Sequence, residues 1–86
     1  MWNSKRVIQM RQMEFKMERE GLLAVGDKVT VTEGLLPSCY YYTIDPSLAM
    51  SGNIPFRERL TVKEGTVVDI VENARGFYVT VNFAEG

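Results

Sequence analysis

Tyr40, Tyr41 and Tyr42 stand in a row, and Phe56, Arg57 and Arg59 follow after a turn-rich stretch. As a set, these side chains are suited to bury area, stack and orient. Tyrosine offers a large contact surface for few rotatable bonds and is a frequent binding anchor. A guanidinium stacks on aromatic rings and grips carboxylates or phosphates in a planar fork. The chemistry that this group predicts is recognition. Covalent chemistry has almost no positive support. No histidine occurs, so the commonest general base and metal ligand is absent. Cys39 is the only cysteine, with no histidine to activate it and no second thiol to bridge to. Asp27, Asp45, Glu58 and Asp69 lack calcium-loop spacing, and no Gly-x-x-x-x-Gly-Lys phosphate loop occurs. The expectation is a protein that is not an enzyme and uses no catalytic residue, cofactor or metal.

The same residues support other readings. Arg57, Arg59 and Lys63, with Arg75 further on, would form with the tyrosines a stacking-and-phosphate surface for single-stranded nucleic acid. Glu58 and Glu64 are interleaved with them and dilute the charge. Overall net charge is −1. Residues 1–20 hold five basic and three acidic side chains; residues 21–86 hold five basic and eight acidic. The aromatic part of the chain is thus mildly acidic, which weighs against phosphate binding. A blander alternative is that the tyrosines pin a loop to the body of the protein as a satellite core.

These residues need a scaffold. The chain has 86 residues and 45% hydrophobic content, enough for one domain and too apolar for wholesale disorder. Such a domain buries only about 60% of the surface of its unfolded chain, so its stability margin is small. Residues 4–20 read as a helix, capped by Ser4, built from Met, Gln, Lys, Arg and Glu, and ended by Gly21. On that helix Met10, Met13 and Met17 form one stripe, and Ile8 and Phe15 lie on the other side. The methionine stripe suits a second copy of the chain, giving a homodimer through the helix, or an adaptable partner surface.

Strand signals follow. Gly26-Asp27-Lys28-Val29-Thr30-Val31-Thr32 alternates after a turn, with the strand over about 27–33. Leu60-Thr61-Val62 and Gly65-Thr66-Val67-Val68-Asp69-Ile70-Val71 form a second strand region, bent at Lys63-Glu64-Gly65. Asn73-Ala74-Arg75-Gly76 is a hairpin turn, and Phe77–Phe83 is the last strand. Between Gly34 and about Arg59 lies a long irregular excursion holding Pro37, Pro46, Pro55 and Gly52, with Tyr40–Ile44 as a short strand inside it. Long loops in small domains are often functional.

The strand openings Gly26-Asp27-Lys28-Val29-Thr30-Val31 and Gly65-Thr66-Val67-Val68-Asp69-Ile70, with the closing Val79-Thr80-Val81-Asn82-Phe83, carry a resemblance over residues 25–84. The pattern resembles a prokaryotic SH3-like barrel, with the rhythm of KOW-like and Tudor-like modules, and is similar to small bacterial or prophage-encoded proteins. It differs from ribosomal and transcription-factor KOW modules in lacking a basic surface. It also lacks the acidic loop and the tryptophan with which eukaryotic SH3 domains hold proline-rich peptides; Trp2 lies outside the barrel region. With the helix read from the N-terminal residues (1–21), the resemblance implies a mainly β fold in which that helix is followed by a five-stranded SH3-like antiparallel barrel (22–86) with a long first loop.

The expected function is non-enzymatic protein binding, as an adaptor or self-assembling subunit, through Tyr40, Tyr41, Tyr42, Phe56, Arg57 and Arg59. Met10, Met13 and Met17 form the expected oligomer face, and nucleic-acid binding is the alternative. No signal peptide or membrane span is legible, so a cytoplasmic setting without membrane contact is expected.

Overall fold

The structure, a computed structural model, describes residues 9–46 and 48–85. They form seven strands: β1 (Gln9–Met17), β2 (Lys28–Leu35), β3 (Cys39–Ile44), β4 (Ala49–Ser51), β5 (Ile54–Pro55), β6 (Glu64–Asn73) and β7 (Gly76–Glu85). A 3-10 turn over Phe56–Glu58 is the sole helical element among the described residues. Every pairing is antiparallel. Neighbours run β2-β6-β7-β1-β4-β3, and β2 pairs back onto β3, which closes these strands into a six-stranded barrel. β5 takes up the edge of β3 at Cys39 and Tyr40, where β4 has already turned away.

The expected N-terminal helix is not formed. Gln9–Met17 is a strand, with Phe15 paired to Val79 of β7 on one side and to Ser51 of β4 on the other. The remainder of the expected helix before Gln9, with Ser4 and Ile8, lies outside the described residues, as does Trp2. The reason is visible in Met13-Glu14-Phe15-Lys16-Met17, which alternates with period two. Met13, Phe15 and Met17 are buried in the barrel, while Glu14 and Lys16 face outward. Helix propensity is worth at most about 0.7 kcal/mol per ordinary residue. Burying a large apolar side chain contributes about 1.5–3 kcal/mol. The strand therefore wins. Met10 has the opposite parity and is 58% exposed, so the three methionines share no stripe. The division at residue 21 fails for the same reason, since β1 is itself a stave of the barrel.

The long first loop is also corrected. Residues 34–59 carry β3, β4, β5 and the 3-10 turn. Their prolines sit where a missing N–H does no harm: Pro37 and Pro46 in the connections, Pro55 ending the two-residue strand β5. Leu60-Thr61-Val62 is not strand; Leu60 turns into one end of the barrel and is buried.

Two glycines allow close approaches. A Cβ on Gly65 would lie 2.7 Å from Val81 Cγ1 and 2.9 Å from the Asn82 carbonyl oxygen, so only glycine lets β6 pass β7 there. Gly34 is covered by the ring of its cross-strand partner Tyr41. Inside the barrel, Phe15 and Phe83 pack at 6.3 Å between ring centroids, with Val31, Ile44, Val67, Val79 and Val81 around them.

Parity in β1 yields a direct test. Met17→Ala should cost about 2–5 kcal/mol, the usual loss for a buried methionine. Met10→Ala should stay within about 0.5 kcal/mol, as for an ordinary surface position. Urea denaturation of the two variants measures both. Equal losses would restore the helical stripe.

Candidate functional site

Alternation along four strands delivers polar side chains to one end of the barrel. Val29 and Val31 point inward on β2, so Glu33 follows them. Tyr42 and Ile44 point inward on β3, and Tyr40 has the same parity nearer the rim. Arg11 on β1 and Glu85 on β7 arrive at the same end by the same rule. The chain leaving the 3-10 turn crosses this end, and Leu60 plugs it.

Three consecutive residues of that crossing are each fastened to a different strand. The Arg59 guanidinium donates from Nε and Nη2 to the two carboxylate oxygens of Glu33, at 2.9 Å each. The Leu60 N–H donates to the Tyr42 hydroxyl at 2.8 Å. That hydroxyl donates in turn to Glu33 Oε2 at 2.9 Å. The Thr61 N–H and hydroxyl both donate to Glu85 Oε2, at 2.9 and 3.0 Å, and Arg11 lies 3.7 Å from the same oxygen. Tyr42 is held from its other side as well. Its N–H donates to Ser51 Oγ at 2.9 Å, which fills the gap between the pairings of β4 and β5.

The charges in this network are mutually tuned. The Arg59 hydrogen bond holds the Glu33 carboxyl below its ordinary value of 4.5, and the same bond raises Arg59. Burial pushes the Tyr42 hydroxyl above its ordinary value of 10.0, reinforced by the neighbouring Glu33 carboxylate.

With its C-terminal side pinned, the 3-10 turn presents an aromatic ledge. Phe56 meets the Tyr40 ring edge-on at 5.2 Å and 74°, yet remains 47% exposed. The Arg59 guanidinium lies 5.0 Å from the Tyr40 ring centroid. Arg57 extends into solvent, 4.0 Å from the Glu58 carboxylate, an exposed pairing of little energetic weight. A groove of about 340 Å³ on the outer wall of the barrel runs over Gly65. Asn82 Oδ1 is buried and accepts no hydrogen bond among the described residues. A groove of about 320 Å³ runs beneath the ledge along Glu33, Arg59 and Lys63.

The six residues expected to bind a partner therefore part company. Tyr40, Phe56 and Arg59 come together, with Arg57 beside them. Tyr41 lies on the outer wall, over Gly34 and beside a groove shared with Thr32 and Asp45. Tyr42 is 2% exposed and works as an internal strut. Sequence reading missed Glu33, Leu60 and Glu85. The period-two alternation from Val29 and Val31 was the signal that would have placed Glu33 on the inner face. Cys39 is buried. No three His, Cys, Asp or Glu side chains among the described residues gather to hold a metal. No helix among them is long and apolar enough to cross a membrane.

Comparison with protein-family models, with curated proteins and with solved structures found no match to this chain.

Removing the Tyr42 hydroxyl tests the strut. Tyr42→Phe strands the Leu60 N–H in a buried setting and should cost about 1–3 kcal/mol in urea denaturation. Acid should act through Glu33. Its folded-state pKa lies below the unfolded one, so its contribution is present above about 4.5 and is lost as pH falls through the depressed value. Between wild type and Glu33→Gln, the stability gap should therefore narrow as pH drops below about 4.5. A constant gap would remove the ion pair from the account.

Proposed function

We propose that this chain is a non-enzymatic interaction module that binds a protein partner, as an adaptor or self-assembling subunit, through the ledge of Tyr40, Phe56, Arg57 and Arg59. We read its small closed barrel as SH3-like, in keeping with the strand openings at Gly26 and Gly65. The observation that carries the functional reading is Phe56. It is a large aromatic side chain held edge-on to Tyr40 and left half in water, on a turn that three successive residues fasten to the barrel. Core packing does not require Phe56 to be there. An aromatic anchor with restricted motion loses little entropy on binding, which is what an interaction hot spot needs. Arg57 stands at the rim, where it would set orientation more than affinity.

Single-stranded nucleic acid is the weaker reading. Arg59 stacked on Tyr40 favours it. However, Arg59 already faces Glu33, and Arg57 already faces Glu58, so the ledge offers little uncompensated positive charge.

A photo-crosslinking residue placed at position 56, with a control at exposed Met50 on the outer wall, separates the outcomes. The proposal expects a discrete protein adduct in cells from position 56, weakened by Arg57→Glu, and none from position 50. An adduct of twice the chain mass identifies a self-assembling subunit. Absence of adducts, or equal adducts from both positions, contradicts the ledge. Salt-sensitive binding of a labelled oligonucleotide, lost in the Arg57→Ala, Arg59→Ala double variant, would replace the protein reading with the nucleic-acid one.

A further inference from the structure

At the opposite end of the barrel, β6 leaves its neighbour. β2 pairs with β6 only from Lys28 to Thr30, against Thr66 to Glu64. One further step of the ladder is made by Gly26 and Asp27: the Gly26 N–H donates to the Val67 carbonyl, and the Val67 N–H donates to the Asp27 carbonyl, at 2.8 Å each. The register then shifts between Val67 and Asp69, a bulge that bends the strand away. From Val68 to Asn73, β6 pairs with β7 alone, and among the described residues no other backbone bond reaches this segment.

The free edge has a defined pattern. Val67 turns its N–H and carbonyl away from β7, and beyond the bulge Ile70 does the same. The Ile70 N–H, with no strand beside it, donates to the Asp69 carboxylate at 3.0 Å. Alternation then turns the N–H and carbonyl of Glu72 outward too. Val68 and Val71, on this segment, are 39% and 46% exposed.

We infer that the Val68–Asn73 edge is a strand-addition site for an extended basic segment of a partner protein, with lysine or arginine interleaved among apolar residues. The argument rests on charge. An arriving strand must offer a carbonyl to the Ile70 N–H, which displaces the Asp69 carboxylate. A neutral strand gives the amide a carbonyl but leaves the carboxylate with water alone. A basic strand recovers the lost charged bond, because the released carboxylate meets an ammonium or guanidinium on the arriving chain. Backbone bonds supply the affinity in this mode, and flanking side chains the selection. A second copy of this chain is the wrong occupant. A second copy would bring the same acidic Asp69 and Glu72, and no basic residue between Val68 and Asn73 to answer the released carboxylate. Asp69 is thereby a guard on an edge that would otherwise invite indiscriminate pairing.

The test uses the full chain and a short peptide of alternating valine and lysine, followed by amide exchange in NMR. At free peptide ten times its Kd, exchange at Ile70 and Glu72 should slow by about tenfold, following 1 + [L]/Kd. The same peptide N-methylated at every amide keeps its charge but has no backbone donor, and should not protect them. Asp69→Asn keeps a side-chain acceptor for the Ile70 N–H but removes the charge; it should weaken binding and flatten the salt dependence. Protection elsewhere, or equal binding of the methylated peptide, overturns the site. A doubled mass by light scattering, with Ile70 protected in the absence of peptide, overturns the partner class. The ledge lies at the other barrel end, so a failure at one surface leaves the other readable.

Discussion

The structure depends on β1 being paired along both edges. With β7 on one side and β4 on the other, it closes a sheet that would otherwise stay open, and a closed sheet has few unpaired backbone groups to satisfy. In a chain of this size, closure also lets one small set of side chains serve every strand. Phe15 and Phe83 fill the middle. Arg11, beyond Met13 on β1, and Glu85, beyond Phe83 on β7, are carried to the rim by parity alone. The polar end of the barrel thus follows from closure.

That rim explains how a short chain can hold an aromatic surface in water. The Arg59–Thr61 crossing is anchored to β2, β3 and β7, and the Tyr42 hydroxyl stands between a carboxylate and a backbone amide as the link. Each bond alone is of modest value. Together they fix the direction of the 3-10 turn, so Phe56 and Arg57 are displayed without being packed. At the far end the logic is reversed. There the ladder is left unfinished beyond the bulge, and an acidic side chain stands over the open amide.

Much of the barrel was legible. The turn at Gly26-Asp27, the alternation in Val29 and Val31, and the hairpin around Asn73–Gly76 carry their own local signals, and β2, β6 and β7 lie close to where those signals put them. Tyr40–Ile44 also emerged as strand. β1 did not, because methionine, glutamine, lysine and glutamate favour helix locally, while the alternation from Met13 to Met17 is rewarded only once β7 and β4 lie alongside. Its value is non-local, and propensity is not. The short strands β4 and β5 were hidden for a similar reason: three and two residues beside prolines look like loop until β3 gives them an edge. The aromatic–arginine group was found as a set of residue types. Strand alternation alone turns Tyr41 away from Tyr40 and Tyr42; the burial of Tyr42 as a strut, apart from the ledge, depended on the closure of the barrel.

The most direct measurement is a set of cross-strand nuclear Overhauser contacts from β1 in the isotope-labelled protein. The account requires backbone contacts from Phe15 to both Val79 and Ser51, and from Lys16 to both Tyr78 and Met50. Short contacts between residues three apart along 9–17, with none to β4, would mean a helix in place of the stave. They would contradict the closed barrel and, with it, the rim that holds the ledge.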